Sequence, residues 1–260
     1  MIQFTIITCT FNAASVLQRT IDSIKEQTWN RVHHIIIDGA STDNTLSIAN
    51  RYAEEMNAAQ QRGTKVVVVS EPDNGLYDAM NKGLQMAKED YVLFLNAGDK
   101  LHSADTLQVV ANNILATKEK TGKMPGIIYG DTDIVDGTNH YVGKRQHQPP
   151  ETLTWRSFKD GMLVCHQAFY VRTDIARKNA YNLKYRFSAD VDWCIRVMKD
   201  AEKSNLELVN THQVLCDFLA GGMSIQNHKS SLGERFNIMA NHYGLIPTMI
   251  KHLKFIKNNL

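Results

Sequence analysis

Two hydrophobic rhythms alternate through the first hundred residues. Short, nearly continuous apolar runs at Phe4–Thr8, His34–Ile37, Val66–Val69 and Tyr91–Leu95 are rich in β-branched and aromatic residues. That composition suits strands covered on both faces of a parallel sheet. Between the runs, apolar residues recur at helical spacing. Ser15–Gln27 places Leu17, Ile21 and Ile24 on one face, Leu46–Met56 does the same with Ile48, Tyr52 and Met56, and Leu76–Ala87 with Met80, Leu84 and Ala87. The pattern predicts βαβαβαβ with right-handed crossovers. In such open sheets ligands sit outside the carboxyl ends of the strands.

The second half is less regular. A helix is expected over Ala104–Thr117, a strand at Ile127–Tyr129 followed by Asp131 and Asp133, and a hairpin around Asp136-Gly137. Beyond the extended Pro149-Pro150, the pattern predicts a strand at Gln167–Arg172, a helix at Asp190–Met198, strands at Leu206–Val209 and Val214–Leu219, and two closing helices. With no repeat and no flexible linker, one continuous domain is expected. Its parts are expected to be residues 1–100, residues 101–225 and the C-terminal helices at 226–260.

Composition narrows the function. The 29 Lys and Arg nearly balance the 27 Asp and Glu, so no overall field favours nucleic acid. Cys9, Cys165, Cys194 and Cys216 form no CxxC pair, which argues against a zinc knuckle or a disulfide scaffold. The start lacks the pattern of a secretory signal, and no apolar run reaches the ~18 residues of a membrane span. A cytoplasmic protein is expected.

Polar groups follow every strand of the first half. Asp38 in Ile37-Asp38-Gly39-Ala40-Ser41-Thr42-Asp43 stands where a carboxylate would accept from a base edge or a ribose, although Ser41 and Asp43 also suit helix capping. Asn96 and Asp99 in Leu95-Asn96-Ala97-Gly98-Asp99 offer hard oxygens for Mg²⁺ or Mn²⁺, in residue types that also suit a surface turn. Thr8 with Asn12, and Ser70-Glu71-Pro72-Asp73-Asn74-Gly75, complete a recurrence that isolated turns do not require.

These segments resemble family 2 of the glycosyltransferases, the inverting enzymes with the GT-A fold. Thr8-Cys9-Thr10-Phe11-Asn12 resembles the opening strand and turn. Asp38 through Thr45 is similar to the D-G-x-S-x-D-x-T signature, and Glu71 through Gly83 to the stretch preceding the metal strand. The resemblance implies a GT-A-like, Rossmann-related mixed α/β sheet, with parallel N-terminal βαβ units and helices on both faces. It further implies a nucleotide diphosphate sugar as donor, UDP-linked first, a divalent metal (Mn²⁺ or Mg²⁺), a sugar or lipid-linked glycan acceptor, and a setting in cell-surface polysaccharide or glycan assembly.

Residue roles follow from the resemblance. Asp38 would hold the nucleobase with Thr8 and Asn12, Asp78 would support the ribose or sugar, and Asp99 would bind the metal. Asn96, where the family is usually acidic, would be an outer contact. Ser188-Ala189-Asp190-Val191-Asp192 resembles the family's E-D motif, which makes Asp190 the base, with Asp192 as fallback and Ala189 replacing a glutamate. Cys165-His166-Gln167 is similar to a segment lining the acceptor side, though a lone His beside an apolar strand equally suits a satisfied core position. Gly221 and Gly222 resemble a Gly-Gly-x-Ser loop able to approach phosphate, with His228, Lys229 and Arg235 downstream to assist the diphosphate.

Rival readings are a sugar-nucleotide pyrophosphorylase, whose Gly-rich basic loop is missing after the first strand, and a non-catalytic nucleotide-sugar binder, for which Asn96 and Ala189 speak. The motifs of dinucleotide-binding and P-loop enzymes are missing. The basic, amphipathic stretch from Leu245 to Lys257 adds an expectation of peripheral contact with the inner face of a membrane.

Overall fold

The computed structural model describes residues 1–59, 63–221 and 228–258. Its first half is the anticipated alternation: β1 (Phe4–Thr10), α1 (Ala14–Lys25), β2 (Val32–Asp38), α2 (Thr45–Ala58), β3 (Lys65–Ser70), α3 (Leu76–Met86) and β4 (Tyr91–Phe94). There follow β5 (Lys100–Leu101), α4 (Thr106–Thr121), β6 (Ile127–Val135), β7 (Tyr141–Lys144), β8 (Phe169–Arg172), α5 (Thr173–Ala176), α6 (Ala189–Lys203), β9 (Leu208–Leu219), α7 (His228–Tyr243) and α8 (Leu245–Asn258).

The strands form one sheet in the order β3-β2-β1-β4-β8-β6-β9-β5, with β7 on β6. β3, β2, β1 and β4 run parallel, so their carboxyl ends share one edge, while β8 enters antiparallel to both β4 and β6. β1 is buried throughout because it has strands on both sides and a helical layer on each face. One face packs Ile7, Ile37, Phe94 and Phe169 against α3 and α6; the other packs Phe4, Tyr91, Tyr170 and Leu215 against α4.

Three expectations shift. β1 continues to Thr10, two residues further than the apolar run, and Asp38 is the last residue of β2 rather than the first of a loop. Residues His166–Ala168 form a 3-10 turn, so the strand expected from Gln167 begins at Phe169. The two late strands are one, β9, whose pairing with β6 skips near His212 at φ 56°. A local irregularity of this kind breaks the apolar pattern without ending the ladder.

Trp193 sets the rotation of α6. Its fully buried ring lies edge-on to Phe94 at 5.4 Å and stacks on Tyr181 at 5.1 Å. Residues three apart share a helix face. Locking Trp193 beneath β4 therefore turns Asp190 toward the strand ends.

Candidate active site

The first polar cluster joins the exits of β1, β2 and β3. Asp38 is fully buried and accepts from Thr10 Oγ1 at 3.0 Å, Ser41 N at 3.0 Å and Ser70 Oγ at 2.7 Å. Burial alone would raise its pKa, but the hydrogen bonds from Ser41, Ser70 and Thr10 outweigh it and hold the carboxyl below its ordinary value. Asn12, at φ 48°, accepts from Thr42 N at 2.9 Å, and its own N–H donates to Ser41 Oγ at 2.8 Å. Asp43 accepts from Ala14 N and Thr45 N, lacing the two loops together.

The left-handed residue of the second loop is Ala40, at φ 60°, and not Gly39. Gly39 supplies space instead: a Cβ there would stand 2.5 Å from Asp73 Oδ2 and 3.4 Å from the Phe11 ring. Phe11, 66 % exposed, is thus an aromatic face at the sheet edge beside Asp38. Thr8, expected in this pocket, is fully buried and bonds to His34 Nε2 at 2.9 Å. Because β1 runs on to Thr10, the next residue on the same face reaches Asp38 in its place. Asp78 accepts from Asn74 N at 2.9 Å and so fixes the loop between β3 and α3.

The second cluster lies at the exit of β4. Asp99 is 4 % exposed; its Oδ1 accepts from Leu219 N at 2.9 Å and its Oδ2 from Gln167 Nε2 at 2.8 Å. Burial dominates and pushes its pKa up to about 6. Thr20 stitches the loop to α1, donating to Asp99 O at 2.6 Å and accepting from Gly98 N at 2.9 Å. Gly98, at φ 98°, leaves room for Leu219, whose Cδ2 would stand 2.9 Å from a Cβ. Through Asp99 the end of β9 is pinned here, two residues before Gly221. Gly222 lies outside the described residues, as do the side chains of His228 and Lys229.

Asn96 Nδ2 lies 3.4 Å from His166 Nε2, while its buried Oδ1 has no hydrogen-bond partner among the described residues. The other nitrogen of the same ring, His166 Nδ1, lies 3.3 Å from Asp190 Oδ2. Tyr77 Oη donates to Asp190 Oδ1 at 3.0 Å. Burial opposes the Asp190 charge, yet His166, Arg235 and Tyr77 hold its pKa below the ordinary carboxylate value, so it is ionised at neutral pH, the state a base requires. Glu234 of α7 accepts from the backbone N–H groups of Arg186, Phe187 and Ser188 at 2.7–2.9 Å, clamping the segment that leads into α6.

Asp192, the fallback base, is excluded by its surroundings. It is 6 % exposed and tied to Arg196 Nε at 2.7 Å and His242 Nε2 at 2.8 Å. Two residues further round the helix it faces α7, which it helps to anchor.

Each Asp99 carboxylate oxygen accepts one hydrogen bond and keeps a lone pair, the donor capacity a divalent metal would use, and it is burial that raises the pKa of the group. Sequence reasoning missed a further set. His102, Asp133 and Asp217 bring ligand atoms within 4.8 Å of one another, but Lys100 Nζ at 3.0 Å and His102 Nδ1 at 2.6 Å already compensate Asp217. The set joins β5, β6 and β9, and a cation there would compete with these two ion pairs for Asp217. Tyr77 and Glu234 were also missed as partners of the site, while His166 and Gln167 were reached only through the Cys165-His166-Gln167 resemblance.

A sheet whose parallel half presents Asp38 and the Asn96–Asp99 loop at one edge, with a helix-borne Asp190 linked to Asn96 through His166, has the architecture of a GT-A glycosyltransferase. The family model for glycosyl transferase family 2 matches residues 5–178, and the chain belongs to that family of glycosyltransferases. It is 38% identical over 194 residues, 74% of this chain and 68% of the relative, to a PGL/p-HBAD biosynthesis glycosyltransferase of Mycobacterium bovis (strain BCG / Pasteur 1173P2). S. aureus TarS 1-349 in complex with UDP-GlcNAc shares the fold at a TM-score of 0.67 and 16% identity, over 98% of this chain and 73% of that one. The mannosyltransferase PcManGT from Pyrobaculum calidifontis, in complex with GDP-Man and Mn²⁺, does so at 0.59 and 15%, over 96% and 73%.

Proposed function

We propose that this enzyme transfers a sugar from a UDP-sugar to an acceptor hydroxyl with inversion, in a metal-dependent reaction of cell-surface polysaccharide or glycan assembly. The observation that carries the reading is the array Asn96–His166–Asp190–Tyr77, at the same sheet edge as Asp38. Phe11 offers its ring to the base, and Asp38 and Asn12 shape the loops around it. Asp78 acts through the loop that it holds. Residues 1–100 serve the nucleotide and 101–225 the acceptor and the chemistry, within one domain whose α7 braces α6 through His242 and Asp192.

Asp99 would hold the metal, with Asn96 as an outer contact; when bound, the cation supplies positive charge to the diphosphate. Asp190 takes the proton of the acceptor hydroxyl as that oxygen bonds to the anomeric carbon. The bond from that carbon to the diphosphate breaks and its electron pair leaves with the nucleoside diphosphate. A single displacement inverts the configuration. The TarS complex supports a UDP-linked donor, and the PcManGT complex supports Mn²⁺.

A thermal-shift screen of UDP-, GDP- and dTDP-sugars with and without Mn²⁺ tests the donor, since a ligand bound only by the folded state raises its melting temperature. UDP-sugars with Mn²⁺ are expected to give the largest rise. A larger rise with GDP-sugars would reassign the nucleotide, and no rise with any of them would remove the reading.

Peripheral membrane contact, at an inner membrane face where a lipid-linked acceptor would wait, rests on α8. Leu245, Ile246, Met249 and Ile250 are 49–72 % exposed and recur at helical spacing, with Lys251, Lys254 and Lys257 following in the sequence. No helix among the described residues is long and apolar enough to cross a membrane. Sedimentation with anionic liposomes should lose at least about tenfold in bound fraction when Ile246 and Ile250 are both changed to Asp, as apolar burial and lipid charge act together. Equal binding by both proteins would remove this contact.

A further inference from the structure

We propose that His166 is the positioning residue of the reaction, one imidazole that aims both the base and the donor-side amide. The inference rests on the reading of Asp190 as the base.

Its parts come from four separate elements. Tyr77 is on α3, Asn96 follows β4, His166 opens the 3-10 turn before β8, and Asp190 lies in the first turn of α6. The ring is 6 % exposed, and both of its nitrogens have partners: Nδ1 faces Asp190 Oδ2 at 3.3 Å and Nε2 faces Asn96 Nδ2 at 3.4 Å. A tautomer with its proton on Nδ1 donates to the carboxylate and accepts from the amide. That choice has two consequences.

Asp190 is held from both sides, by His166 at Oδ2 and by Tyr77 at Oδ1, and the hydrogen-bonded carboxylate cannot rotate away from an incoming hydroxyl. Engaging the Asn96 amide through Nδ2 also leaves its Oδ1 as the free end, the buried atom with no partner among the described residues. A buried carbonyl oxygen without a donor is costly. A group of the bound donor that presents a hydrogen-bond donor or a hydrated cation would satisfy it. His166 thereby links acceptor activation to donor seating across the seam between β4 and β8. Its own seat is firm, because the next residue, Gln167, is bonded to Asp99 at 2.8 Å.

The test compares wild type with His166→Asn, His166→Gln, His166→Ala and Asp190→Asn in transfer assays, with kcat and donor KM measured separately. An asparagine places its amide near the position of imidazole Nδ1, and a glutamine near that of Nε2. His166→Asn should therefore keep the contact with Asp190 and retain at least about ten times the kcat of His166→Ala, since small misplacements of a reacting group cost up to about 100-fold. His166→Gln should keep donor KM within about threefold of wild type and lose kcat.

The same histidine is read in the folded native protein by ¹⁵N NMR, which needs no variant at position 166. Its Nδ1 resonance should move in Asp190→Asn. An unmoved resonance, or His166→Asn and His166→Gln both matching wild type while Asp190→Asn is inactive, would overturn this inference alone. Wild-type transfer by Asp190→Asn would overturn the assignment of the base beneath it.

Discussion

Asp190→Asn lowers kcat by about 10²- to 10⁴-fold while donor KM changes little, because the amide keeps the size of the carboxylate but cannot take the acceptor proton. The geometry makes this variant clean. Tyr77 Oη can donate to the amide oxygen as it does to Asp190 Oδ1, and Trp193, Phe94 and Tyr181 continue to lock α6. The loss is therefore of charge rather than of fold. His166, Arg235 and Tyr77 hold the Asp190 carboxyl below the ordinary range, so the acid limb of the wild-type kcat profile should lie at or below that of a free carboxylate. Steady-state kinetics across pH check both statements. A variant with at least a tenth of wild-type kcat would move the base elsewhere, and the confinement of Asp192 between Arg196 and His242 leaves it poorly placed to take over.

Asp99→Asn abolishes metal-dependent transfer, an expected loss of about 10²- to 10³-fold for several kcal/mol of charge stabilisation at the leaving group. The pH dependence of metal binding gives a second check. In the folded protein the Asp99 pKa is raised to about 6 from the ordinary 3.8. Between those values the native state keeps a proton that the unfolded chain has lost, so this group's contribution to stability falls as pH rises from about 4 to about 6 and is level beyond. A cation must displace that proton below about pH 6 and meets none above it. Mn²⁺ should therefore raise the melting temperature more at about pH 8 than at about pH 5 in wild type, and by little at either pH in Asp99→Asn. Thermal melts with and without Mn²⁺ measure this. Identical metal shifts in the two proteins would relocate the metal, with His102, Asp133 and Asp217 as the next place to look.

The convergence of polar loops at the ends of the parallel strands could be read from the chain alone, since its rules are local. A buried parallel strand ends in a polar turn, the turn opens a helix, and the carboxyl ends of successive parallel strands share an edge. Asp38 and the Asn96–Asp99 loop were placed by that logic. Thr8 was misplaced by the same logic, because an apolar run does not report where hydrogen bonding to β2 stops, and pairing carries β1 on to Thr10.

The surroundings of His166 and Asp190 obey no such rule. In sequence His166 is a lone histidine before an apolar strand, equally at home as a core residue, and nothing near it names a partner. Its contacts with Asn96 and Asp190 bridge separations of 70 and 24 residues, and exist only because β8 inserts antiparallel between β4 and β6 while α6 folds back beneath them. The same packing turns Asp190 toward the sheet edge and commits its neighbour Asp192 to α7. Local patterning thus determined which elements form and which ends carry chemistry. Only the burial of Trp193 against Phe94 and Tyr181 decided which carboxylate of α6 faces the site, because helix rotation is set by what a face buries and not by the residues it exposes.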